Sequence, residues 1–346
     1  MYQNQTLIQF LEDSGAQLRI FDLGRRICEL DRDLFLDFEK TESAYPLPKN
    51  KKAWFAIVKF DLQTRKEPII WFLCFNLDEQ GKLIQSCRDY FIKRLIDSVA
   101  EGDNLIADIA KDNPFTFRPN NEKLANLHSI LSYSLNQEPS HYFQHTYNYF
   151  NGELEWNQWK FIGYQGIADI AARNSNPKIN RILNSAIPSL PDEPLIALCH
   201  CLENHKIKKQ TSMVLIEKLD RELSKKIYNK NLLAAILRSL SQSNKKFIKK
   251  AILHILNKED ALNIEILVSI GSRSWEALID KELMELYVSK LAHEDIQRDV
   301  FIECISDLIQ MPNYRSHVLS AIKSEKQPQQ VTERFNYLLK VKAFNH

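Results

Sequence analysis

The chain has 346 residues, 44% hydrophobic and 26% charged, with a formal net charge of +2. That balance excludes a disordered chain, and the length suffices for two domains. Eight glycines are too few for the turns of a β-rich protein, so the fold is expected to be mainly α.

The N-terminus lacks the basic start and apolar core of a secretory signal. No run approaches the roughly 18 apolar residues of a membrane span. A cytoplasmic protein without membrane contact is expected. The cysteines, Cys28, Cys74, Cys87, Cys199, Cys201 and Cys304, include no C-x-x-C pair. Reduced, mostly buried thiols are expected rather than disulfides or a thiolate zinc site.

In chain order, "QNQTLIQFLED" places Leu7, Ile8, Phe10 and Leu11 on one helical side, and Gly15 stands at a helix stop. "LRIFDLGRRICEL" reads as two short strands around a bend at Gly24. "DRDLFLDFEK" reads as a helix with Asp31 or Asp33 as N-cap and Leu34, Phe35 and Phe38 as its apolar stripe. Pro46 and Pro48 then forbid helix, and "AWFAIVKF" and "IIWFLCF" are strands whose connection, "DLQTRKEP", suits an antiparallel hairpin. "KLIQSCRDYFIKRLIDSVAEG" is an amphipathic helix with Leu83, Cys87, Phe91, Leu95 and Ile96 on one face. The expected organisation is a small α+β domain over 1–110, a linker and aromatic packing seam over 111–160, and a helical domain over 161–346.

From about Asn121 the pattern stays helical. "PLIALCHCLEN", "NLLAAILRSLSQS", "ALNIEILVSIGS" and "VFIECISDLIQ" resemble one another, each followed by a more charged helix. Aligning Leu195, Leu232, Leu262 and Val300 gives steps of 37, 30 and 38 residues. This degenerate spacing points to a HEAT-like α-solenoid, with an irregular helical bundle as the alternative. Phe335, Leu338 and Leu339 suit a closing helix.

Six stretches, "TLIQFLEDSGAQLRIFDLGRR", "AYPLP", "IIWFLCFNLDEQGKL", "CRDYFIKRLI", "EPSHYF" and "IPSLPDEPLIALCHCLEN", resemble a family of proteobacterial proteins of unknown function over nearly the whole chain. The resemblance implies no activity, cofactor or catalytic residue.

Four features carry possible chemistry. His141 and His145 lie four apart, but one pair of ligands is not a metal site, and no metal or cofactor is expected. The aromatic run "HYFQHTYNYFNGELEWNQWKF" suits a packing seam between the two domains, with a ligand cage as the alternative. The polar set Asp22, Arg25, Arg26, Asp78, Glu79, Arg88 and Asp89 is where an enzyme site on the α+β domain would lie, against the alternative that these residues hold turns and surface charge. The fourth feature is charge. Between Lys206 and Lys258, twelve lysines and two arginines stand against three acids, whereas 259–307 holds twelve acids against four lysines and arginines. Lys245, Lys246, Lys249 and Lys250 fall on one face of their helix, opposite Ile248, Ile252, Ile255 and Leu256.

The function most in keeping with this pattern is a non-catalytic protein-binding or adaptor role on a helical-repeat surface. Self-association through the opposite charge blocks is one form of it. Nucleic-acid binding along the 206–258 ridge is an alternative, and an enzyme site near Arg25, Arg26 and Asp78 is another.

Overall fold

The computed structural model describes residues 5–13, 15, 17–60, 68–100, 113–258, 260 and 262–344. Most of the expected hairpin connection, the first boundary signals near residues 101–112 and the expected boundary at 110 lie outside the described residues. The fold is mainly α with a small α+β part at the N-terminus. Two compact units divide it: residues 1–120 with 310–313, and residues 121–309 with 314–346.

In the first unit, Thr6 opens α1 (Leu7–Glu12) with a capping box, its side chain accepting from Gln9 N while Gln9 reaches back. Six residues cannot hold a helix alone. The buried Glu39 completes its start, accepting from Leu7 N at 2.7 Å and Ile8 N at 3.1 Å. β1 (Gln17–Asp22) and β2 (Cys28–Leu30) flank the Gly24 bend, Asp31 caps α2 (Arg32–Glu39), and β3 (Lys52–Phe60) and β4 (Ile69–Asn76) precede α3 (Gln85–Ala100). All pairings are antiparallel in the order β2-β1-β3-β4.

Period-two alternation puts Phe55, Ile57, Trp71, Leu73 and Phe75 on one sheet face, in a common core with Leu7, Leu11, Phe35, Phe38, Phe91 and Leu95 of the helices. The α2 stripe differs from the expected one. Its buried arc runs from Phe38 through Phe35 and Glu39 to Leu36, and Leu34 falls outside it, 60% exposed. Past β4, the 113–117 segment lies along that strand's outer edge, with Cys74 N donating to Phe115 O at 2.8 Å and Phe117 N to Phe72 O at 3.1 Å. Phe117 packs edge-on against Trp54 at 5.0 Å.

The second unit begins with α4 (Asn121–Ser134), α5 (Phe143–Phe150), α6 (Tyr164–Ala172), α7 (Pro177–Ala186), α8 (Asp192–Leu202) and α9 (Lys209–Leu223). It continues through α10 (Lys230–Ser239), α11 (Lys245–Leu256), α12 (Ile264–Arg273), α13 (Lys281–Leu291), α14 (Arg298–Gln310), α15 (Arg315–Ile322) and α16 (Gln329–Phe344). Alternate helices stack in two rows: α4, α6, α8, α10 and α12 in the first, and α5, α7, α9, α11, α13 and α15 in the second. No single helix here can bury its apolar face alone, so each depends on its neighbours two helices away.

The four similar sequence segments fall on α8, α10, α12 and α14. Leu262 lies ahead of α12, and the buried Ile266 occupies the place expected for it. Gly166 allows α5 and α6 to meet, because a Cβ there would fall 2.1 Å from Thr146 Oγ1. α16 buries Val331 and Leu338 while Leu339 stays half exposed.

Candidate functional site

The helices within each row run the same way, as bonds between their ends show. At the starts of α7 and α9, Asn180 Nδ2 donates to Thr211 Oγ1 at 2.9 Å, and Lys208 Nζ to Ser175 O at 2.9 Å. At the far ends of α9 and α11, His254 Nδ1 meets Asp220 Oδ1 at 2.9 Å. In the first row, Asn229 Nδ2 donates to Asp192 Oδ2 at 3.0 Å where α10 and α8 begin. Short loops join the end of each first-row helix to the start of the next second-row helix. One edge of the unit therefore gathers the N-termini of α7, α9, α11 and α13 with the C-termini of α6, α8, α10 and α12.

Lysine is concentrated along this edge. Lys178 stands in the first turn of α7, Lys208 and Lys209 open α9, Lys245 and Lys246 open α11, and Lys281 opens α13; all are exposed. The first turns of α7, α9 and α11 contain no acid. On the same edge α13 has Glu282 in its first turn, and at the opposite edge α8 begins with Asp192 and Glu193 and α12 has Glu265, whereas α10 opens with Lys230 and no acid. A helix N-terminus carries roughly half a positive charge, so a lysine there works against the fold by about 0.3–1 kcal/mol. The caps of α7 and α11 are the neutral Asn176 and Asn244. The first-row C-termini on the same edge offset the second-row N-termini, so the positive potential of this edge is carried by the lysine side chains.

Of the four ridge lysines, Lys249 is the exception to free display. It forms an ion pair with Asp280, the N-cap of α13, and that bond ties the two helices together. Lys245, Lys246 and Lys250 are exposed and unpaired among the described residues.

Along the same edge, the first-row C-termini are tied by a charge cluster that sequence reasoning missed. Glu203, buried just past α8, accepts from Arg238 Nε at 2.5 Å and Nη2 at 3.0 Å, and from Arg273 Nε at 3.1 Å. Burial alone would raise the Glu203 carboxyl, but the Arg238 bonds and the Arg273 charge override it and hold the carboxyl below its usual range. His200 Nε2 lies 3.1 Å from Arg238 Nη1, and burial followed by the Arg238 charge pushes its ring down to about 4. The neighbouring Cys199 and Cys201 are wholly buried, which lifts both thiols to about 12. A legible sign existed: His200 and Arg238 are each the ninth residue of their helix.

The N-terminal candidates form separate arrangements. Arg25 and Arg26 are each 1% exposed. Arg25 N donates to Asp22 Oδ1 at 3.3 Å, Arg25 Nη2 to Pro48 O at 3.1 Å, and the Tyr45 hydroxyl to Asp22 Oδ2 at 2.8 Å. "FDLGRR" and "AYPLP" therefore interlock in the interior. Asp78 closes the turn before α3, its Oδ1 accepting from Gln80 N and Lys82 N, both at 2.8 Å, with Gly81 at φ +79°. Arg88 Nη1 donates to Glu39 O at 2.6 Å, and Arg88 Nη2 to Asp89 Oδ1 at 2.7 Å.

In the aromatic run, Tyr149 and Phe150 are buried, and the Tyr149 hydroxyl donates to Trp156 O at 2.9 Å. Phe161 is 78% exposed. His141 stacks on Tyr142 at 3.8 Å between ring centres. Ser140 of "EPSHYF" donates through its hydroxyl to the buried Asp169 at 2.6 Å, fastening the segment to α6. Among the described residues no group of three or more His, Cys, Asp or Glu could hold a metal, and no helix is long and apolar enough to cross a membrane.

These features define a protein of stacked helices with a small antiparallel sheet unit and a cation-lined edge. The chain belongs to the family described as protein of unknown function (DUF3549), which matches residues 3–339. No curated protein and no solved structure matches it.

Proposed function

We propose that the stacked helices form a non-catalytic binding surface that takes an acidic segment of another protein along the lysine edge. The observation that carries this reading is the exposure of Lys245 and Lys246, without ion-pair partners among the described residues, on the acid-free first turn of α11, where they oppose the helix dipole and so serve something other than stability. Lysine rather than arginine suits loose attraction to carboxylates over bidentate phosphate readout. None of the large hydrophobic side chains exposed on α7–α13 is a Phe, Tyr or Trp, which does not favour the stacking platforms of a single-strand binder on those helices.

The test compares the full chain with a K245E/K246E/K250E variant, titrated with polyglutamate and with single- and double-stranded oligonucleotides at low and moderate salt. Polyglutamate should bind the parent chain, weaken as salt rises and lose about tenfold or more in affinity on charge reversal. Because glutamate suits a helix start, the variant should unfold at the same or a slightly higher temperature than the parent. An oligonucleotide preferred over polyglutamate would make the edge a nucleic-acid surface. Equal binding by parent and variant would remove the edge from function. Self-association lost on charge reversal would name a second copy, through its 259–307 acids, as the partner.

A further inference from the structure

A second cationic feature lies at the opposite edge of the second unit and is independent of the reading above. Between the turn that follows α13 and the exposed side of α16 is a cleft of about 710 Å³. Its walls bring together groups from two elements far apart in sequence. Arg298, the first residue of α14, is exposed and lays its guanidinium over the Tyr337 ring at 4.6 Å. Stacking occupies the face of the guanidinium and leaves its N–H edge available. Arg334 of α16 enters from the other wall and is fixed by two backbone bonds, Nη1 to Leu291 O at 3.1 Å and Nη2 to His293 O at 2.7 Å.

Neither guanidinium has a carboxylate within ion-pair distance among the described residues. Two carboxylates, Glu294 and Glu333, also line the cleft without reaching either guanidinium, and that of Glu333 is engaged by Gln329 Nε2 at 2.7 Å. Burial and then the neighbouring Arg298 charge push the Arg334 guanidinium below its usual range. Two like charges lining one cleft, with Lys340 also in its wall, are mutually unfavourable until an anion joins them. Gln330 adds an amide that can both donate and accept.

We infer that the α14–α16 cleft binds a small anion headed by a carboxylate or phosphate, held on the N–H edge of Arg298 and on Arg334. Arg298 is the discriminating residue. It makes no bond that the fold requires, whereas Arg334 closes the end of α13 and its loss would disturb the helix.

The experiment titrates the full chain with inorganic phosphate, a sugar phosphate and citrate by calorimetry, and repeats each titration on R298Q. At least one probe should bind the parent chain at millimolar concentration or tighter, and R298Q should weaken that probe by about tenfold or more while its melting temperature stays close to that of the parent. Preference for the sugar phosphate identifies a phosphate monoester as the ligand class; preference for citrate identifies a carboxylate. Failure of all three probes on the parent chain, or equal affinity in parent and R298Q, overturns the inference. K245E/K246E/K250E should bind the same probe as the parent does, which separates this cleft from the lysine edge.

Discussion

Arg25 and Arg26 in the sheet unit and Lys245 and Lys246 on the helical edge carry the same charge under opposite conditions. The arginines are buried, and Arg25 reaches the Pro48 carbonyl and sits over the Asp22 turn. The lysines are exposed on the first turn of α11, where the helix itself is already positive. The charge of these two arginines is consumed by the fold; the charge of these two lysines is left over from it. A charge that stability does not explain is the better guide to where a molecule meets its partners.

The largest effect on that contrast should come from Glu203, where buried charge on the helical edge is built into the fold. Glu203→Ala leaves Arg238 and Arg273 facing each other without their shared acceptor, and should cost about 3–5 kcal/mol of stability in denaturant unfolding. A loss well under 1 kcal/mol would mean that the cluster is as loose as the surface lysines.

Next in size is a difference in pH response between the units. Burial lifts the Glu39 carboxyl to about 7 against the pull of its two backbone donors. A carboxyl raised in the folded state gives stability that is present below about 4.5 and lost as pH rises through 7, worth roughly 3 kcal/mol for a shift of this size. His200 has the opposite sign. Its ring is lowered to about 4, so the stability it contributes is present above about 6.5 and is lost as pH falls toward 4. Glu39→Gln should flatten the alkaline side of the stability profile, and His200→Gln the acidic side, in unfolding curves measured from pH 4 to 8. Identical profiles for parent and both variants would refute the two assignments.

A smaller effect is expected at Gly166, where any side chain must push α5 from α6. Gly166→Ala should cost about 1–3 kcal/mol, measured by thermal or denaturant unfolding. A neutral result would show that the contact yields at little cost.

Much of this architecture was legible in the sequence. The strands at 52–60 and 69–76 and the helix after the Asp78 turn follow from alternation and turn chemistry, and α8, α10, α12 and α14 from their likeness to one another. What escaped has a common cause. Glu203 meets Arg238 across 35 residues and Arg273 across 70, contacts that only the stacking of rows creates. The lysine excess over 206–258 was countable, yet its alignment on helix starts depends on boundaries that propensity places to within only a few residues. Leu34 belonged to an apolar stripe by spacing, but the exact arc that α2 buries is set by Glu39, a polar residue drawn inward to cap α1.

The strip of chain at 113–117 has a consequence for handling the sheet unit as a fragment. An uncovered strand edge invites pairing with other chains, and short edges resist this better than long ones. At one side of the sheet the outermost strand, β2, is only three residues long. At the other, the eight-residue β4 is shielded because Phe115 and Phe117 occupy its outer edge. A fragment cut before Asn113 would bare that edge and invite aggregation, whereas one carried through Asn120 would keep its own guard strand.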